Sequence, residues 1–199
     1  MILIFPSLLL SVELIIIKKL SLKNPNTYMK QFVLSLILVN LIISSSAYAQ
    51  LSPKNGGHCF TLDIPEYMVK TYELNDVATL QYMNAGKEAY VVVIEDSKDQ
   101  LESLGIKYVG AKDFLEGFLK DYNKDASDRK VGKIVEFSSN NNKIAQAEFT
   151  WKDEKLSYYM ITTGVESKGY FYKILTWTIT ENKDALKNDF LAIAKSLKD

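Results

Sequence analysis

The stretch that decides the fold is Ala145–Asn182, AQAEFTWKDEKLSYYMITTGVESKGYFYKILTWTITEN. Its first part alternates. Ala145, Ala147, Phe149 and Trp151 fall on one side, and Gln146, Glu148 and Thr150 on the other, as expected of a strand with one buried and one wet face. The runs EKLSYYMITTGV (154–165) and GYFYKILTWTIT (169–180) are apolar on both faces for much of their length. They read as central strands that need cover on both sides. Asp153-Glu154 and the segment from Gly164 to Gly169 supply the turns, so the three strands form an antiparallel sheet.

Working outward, KIVEFSSNNNKIAQAEFTW (133–151) reads as two strands around an asparagine-rich turn at Asn140–Asn142. Upstream, VATLQYMN (77–84) and KEAYVVVIED (87–96) form a second hairpin around Asn84–Gly86. CFTLDI (59–64) alternates Phe60, Leu62 and Ile64 against Thr61 and Asp63 and is stopped by Pro65. Ser97 and Gln100 make a capping box for a short helix that stops at Gly105. Phe114, Leu115, Phe118, Leu119 and Tyr122 line one face of a longer helix. Leu186, Phe190, Ile193, Ala194 and Leu197 do the same for a helix over Lys183–Leu197, which Asn182 can cap and Asp184 favours in its first turn. The order is β-β-β-α-β-β-β-β-α: one α+β domain, a mostly antiparallel sheet of about six to seven strands flanked by helices.

The N-terminal quarter has a different logic. From Met29 the chain reads MKQFVLSLILVNLIISSSAYAQ: basic Lys30, an apolar run from Phe32 to Ile43, then Ala47-Tyr48-Ala49. These are the parts of a secretory signal over 29–49, with Gln50 as the first mature residue. Residues 1–28 read as sequence upstream of a true start at Met29. The alternative is a membrane anchor over Met1–Ile17, against which Pro6 and Glu13 argue. Residues 50–57 read as a flexible polar leader and 58–199 as the globular domain. The protein is then periplasmic or extracellular.

Removing residues 1–49 takes four of the 24 basic residues (Lys18, Lys19, Lys23, Lys30) and one of the 24 acidic ones (Glu13), leaving a net charge of −3. Such a balance attracts neither nucleic acid nor an anionic membrane. A single arginine, Arg129, argues against bidentate clamping of phosphate or carboxylate. One cysteine, Cys59, excludes an internal disulfide. Its neighbour His58 is the one histidine, but adjacent strand residues point to opposite faces, so the two do not make a nucleophile–base pair. Cys59 reads as a small packed hydrophobe. There is no phosphate-binding glycine motif, and too few His and Cys for a zinc site. No cofactor is expected.

Asp121, Asn123 and Asp125 match the first ligand positions of an EF-hand loop. Ala126 and Gly132, however, stand where the loop needs glycine and a bidentate glutamate, so calcium is a weak candidate beside a solvated helix end. Twelve tyrosines suit recognition, or simply fill the sheet. The wet side of the strand Lys143–Trp151, carrying Gln146, Glu148 and Thr150, is the candidate partner face, on the expectation that this strand lies toward an edge.

The element order resembles the PsbP-like fold, named after an extrinsic subunit of the photosynthetic oxygen-evolving complex. The resemblance rests on FTLDIP (60–65), on the long hairpin run quoted above and on the closing FLAIAKSLK (190–198). It covers nearly all of residues 58–199. It implies an accessory or binding protein rather than an enzyme. No residue role is carried over, because the metal-site carboxylates and histidines of the photosynthetic members have no counterpart that can be placed. The reading is an exported, non-enzymatic envelope module for a protein or small-molecule partner; the alternative is a small carboxylate-based hydrolase.

Overall fold

The computed structural model describes residues 50–57 and 60–199. His58, Cys59, the signal-like segment and the upstream stretch lie outside the described residues. The strands are β1 (Leu51–Gly56), β2 (Phe60–Pro65), β3 (Val69–Lys70), β4 (Leu80–Asn84), β5 (Ala89–Ser97), β6 (Ser127–Val131), β7 (Val135–Ser139), β8 (Asn142–Lys152), β9 (Ser157–Glu166) and β10 (Tyr170–Ile179). The helices are α1 (Lys98–Ser103), α2 (Ala111–Asp121) and α3 (Lys183–Lys195).

Eight strands form one antiparallel sheet in the order β3-β4-β5-β10-β9-β8-β6, with β7 also paired to β8. β1 and β2 form a separate two-stranded ladder. The two doubly apolar runs are central, as their composition requires: β9 lies between β8 and β10, and β10 between β9 and β5. α3 and β2 cover one face over a core that includes Phe60, Leu62, Ile64, Val91, Tyr172, Ile174 and Phe190. α2 covers the other, on Ala145, Ala147, Phe149, Met160 and Leu175.

Local chemistry places the helices. The Ser97 side chain accepts the Gln100 N–H and starts α1. Arg129 donates to the Tyr122 and Leu119 carbonyls at the end of α2. The sole arginine is therefore a helix cap. The asparagine-rich turn does more than reverse the chain. Asn140 and Asn141 both have positive φ, as a two-residue hairpin turn of matching twist demands. Asn140 and Asn142 then donate to the Leu197 carbonyl at 3.1 and 3.2 Å, which ties the hairpin to the end of α3.

Four expectations are corrected. Residues 50–57 are not a free leader, since Leu51–Gly56 pair with β2. The first expected strand, β2, belongs to that small ladder and not to the main sheet. Gly164 is no turn residue but lies inside β9. β8 is no edge, because β9 pairs with one side and β6 and β7 share the other.

Candidate binding groove

The site begins with small residues. Ala145 and Ala147 on β8 leave room above the sheet, and Gly164 on β9 lets α2 settle. A Cβ on Gly164 would lie 2.8 Å from the Ala111 carbonyl oxygen. α2 buries Ala111, Phe114, Leu115 and Leu119 toward the sheet and leaves Lys112, Asp113 and Glu116 exposed. On the far side of β8, register pairs Glu136 with Ala145 and Ser138 with Lys143. Directly opposed residues share a face, so the Glu136 and Ser138 side chains stand on the α2 side of the sheet. Between helix and strand runs an open groove of about 590 Å³, within the range of ligand sites. Val109, Lys112, Glu116, Glu136, Lys143 and Glu166 are among the residues that line it.

Its electrostatics are uneven. At one end the Glu166 carboxylate is held by Lys98 at 3.0 Å and by Lys143 at 3.8 Å. Nearby, Lys173 pairs with Asp96 at 3.0 Å and lies over the Phe114 ring. Asp113 accepts the Val109 N–H at 2.9 Å and holds the approach to α2. Glu166 is matched by two lysines, and Asp113, Glu116 and Glu136 face only Lys112 along the walls, so the four carboxylates outnumber the three ammonium groups by one. The groove is thus mildly acidic, with an apolar contribution from Val109 and Ala111, while the Phe137 and Ile144 side chains point to the α3 side and only their backbone borders it. It can hold an apolar body carrying a positive group.

The residues singled out from sequence lie elsewhere. Gln146 and Glu148 stand on the opposite face, the side that α3 covers. Gln146 is buried and donates to the Thr163 hydroxyl at 3.0 Å. Glu148 pairs with Lys187 at 2.6 Å and Lys183 at 3.4 Å, both on α3. The Lys187 hydrogen bond holds its carboxyl below the ordinary range. Thr150 is half-buried on the same face. The expectation that all three face water fails because a helix covers that side. Asp121, Asn123 and Asp125 sit at and beyond the end of α2, where Lys124 and Ala126 N–H groups close turns on the Asp121 and Asn123 carbonyls. Among the described residues no group of three or more His, Cys, Asp or Glu is placed to hold a metal ion.

The tyrosines are largely architectural. Tyr159 and Tyr172 are fully buried. Tyr158 stacks on Trp151 at 4.9 Å, and Tyr90 on Trp177 at 5.2 Å, as cross-strand pairs. Burial and the Glu88 carboxylate push the Tyr90 hydroxyl up to about 12. Sequence reasoning missed Lys112, Glu116, Glu136, Lys143 and Glu166 as a group because they come from four separate elements. One signal was present: alanines at alternate positions of β8, and a glycine in β9, mark where a helix comes close to a sheet.

No protein-family model matches this sequence, and no curated protein matches it. Solved structures do resemble it. LpqN of Mycobacterium tuberculosis, described as involved in cell envelope biogenesis, shares 11% identity at a TM-score of 0.50, over 76% of this chain and 91% of its own. Cyanobacterial PsbP from Synechocystis shares 14% at a TM-score of 0.53, over 77% of this chain and 95% of its own. At such identities the likeness is one of fold, and the fold of this chain is the PsbP-like sandwich of helices on both faces of an antiparallel sheet.

Proposed function

We propose that this chain is an exported accessory module of the cell envelope that holds a partner in the groove between α2 and β7. The observation that carries the reading is the groove itself: open, part apolar, and left acidic once Glu166 is paired. A surface of this kind serves recognition. The signal-like segment ending at Ala49 supports export, and the described LpqN association with envelope biogenesis supports the compartment. Among the described residues no helix is long and apolar enough to cross a membrane.

Two experiments test the reading. N-terminal sequencing of the exported protein should begin at Gln50; a different start, or retention inside the cell, contradicts export. In-cell cross-linking followed by mass spectrometry should recover a partner with the native protein. The charge-reversed variant Glu116→Lys with Glu136→Lys should lose it, since both side chains are exposed groove walls whose replacement leaves the core intact and turns the groove basic. Undiminished capture by that variant places the partner elsewhere.

A further inference from the structure

Resting on that reading, we infer that the partner presents an extended segment of alternating apolar and basic residues, which pairs with the outer edge of β7. The argument starts from the edges. A strand edge exposes unpaired N–H and C=O groups, and proteins blunt such edges with lysine, proline, bulges or short length. Most edges among the described residues carry these devices. β1 has Pro53 and Lys54. β3 is two residues long and ends in Lys70. β6 contains Arg129 and Lys130, with a register break between Ser127 and Lys130.

β7 carries none of them. Its sequence, VEFSS, has no lysine, arginine or proline, and its pairing with β8 runs without a break over Val135–Ser139. The hairpin closes on the pair Ser139–Asn142 around a two-residue turn. In an antiparallel ladder, hydrogen-bonded and non-hydrogen-bonded pairs alternate. Counting from the closing pair, Glu136 and Ser138 are the non-hydrogen-bonded positions, so their N–H and C=O groups point away from β8. Among the described residues no hydrogen bond engages either backbone, and both residues are exposed.

The same register dictates what would fit. A residue laid opposite Glu136 points to the α2 side, beside a carboxylate with Glu116 across the groove, and favours a positive charge. Residues opposite Val135 and Phe137 point to the other side. There Val135 is 56% exposed and Phe137 half-buried, which favours apolar side chains. Backbone pairing supplies affinity, and the alternating side chains supply specificity.

The test uses capped synthetic peptides that alternate valine with lysine, or valine with glutamate, added to the purified protein. The lysine peptide is expected to bind saturably and to slow hydrogen exchange at the Glu136 and Ser138 amides, while the glutamate peptide binds at least tenfold more weakly. Glu136→Lys, an exposed change that leaves the ladder intact, should reverse the preference, each peptide shifting by roughly tenfold. Ser138→Pro removes an outward N–H, a substitution that edge positions tolerate, and should abolish the slowing at the remaining Glu136 amide. Equal binding of both peptides, or binding with no slowing at those two amides, overturns strand pairing. If the lysine peptide instead protects only Lys112–Glu116, strand pairing fails while the groove reading stands.

Discussion

Replacing Gly164 with alanine tests how α2 is seated. The new Cβ would lie 2.8 Å from the Ala111 carbonyl oxygen, 3.1 Å from the Leu115 Cβ and 3.4 Å from the Phe114 ring. The first two are inside ordinary contact distance, and one partner is helix backbone that no rotamer change can move. α2 must therefore lift, at an overpacking cost of about 1–3 kcal/mol. Stiffening the unfolded chain offsets about 0.4–1 kcal/mol of that. The net loss of about 1–2 kcal/mol lowers Tm by roughly 2–8 °C in a domain of this size. Gly169 is the internal control, because an added Cβ there meets nothing within 4 Å. Gly169→Ala should leave Tm unchanged or slightly raised. Urea and thermal unfolding of the three proteins decide the matter. If Gly164→Ala is as stable as Gly169→Ala, α2 does not rest on β9 at this point and the groove wall is misplaced.

Other substitutions probe the remaining contacts. Asn142→Ala removes a buried donor to the Leu197 carbonyl but leaves the one from Asn140, so the loss should be about 1 kcal/mol in chemical denaturation, and larger when Asn140 is changed as well. Thr162 is buried on the α2 side of β9, and its hydroxyl has no hydrogen-bond partner among the described residues. Thr162→Val should therefore be neutral or stabilising by up to about 1 kcal/mol; a clear loss of stability would mean that the hydroxyl is bonded. Glu148 has its folded pKa held below the ordinary 4.5, chiefly by Lys187. Its contribution is present above the unfolded value and is lost as pH falls through the folded one. The side chain is 44% exposed, so solvent screening limits the contribution to less than about 1 kcal/mol. Glu148→Gln should lower stability slightly at pH 7 and flatten its decline below pH 4.5; an unchanged acid limb would show that the pair with Lys187 does not persist in solution.

Elements with strong local signals were legible in the sequence. The Ser97 cap, the apolar stripe of α2, the closing helix and the hairpin around Asn140–Asn141 all appear where pattern and turn chemistry place them. β1, β3 and β6 were missed because short or exposed edge strands carry no burial alternation, and Pro53 in β1 reads as a break. The alternation along β8 predicts that Gln146 faces water. It is buried on the side that α3 covers, with Thr163 as its hydrogen-bond partner, and that cover is a tertiary fact that the alternation of β8 does not contain. The groove was illegible for a related reason. Its walls, α2 and β7, become neighbours only through their separate packing on and beside β8.

Hydrogen exchange of the protein with and without its cross-linked partner tests the central claim most directly. Partner binding at the groove predicts slowed exchange confined to two segments, Val109–Glu116 and Val135–Ser139, with the α3 face over Lys183–Lys195 unchanged. Protection centred on α3 or on β1, with none at α2 and β7, would contradict it.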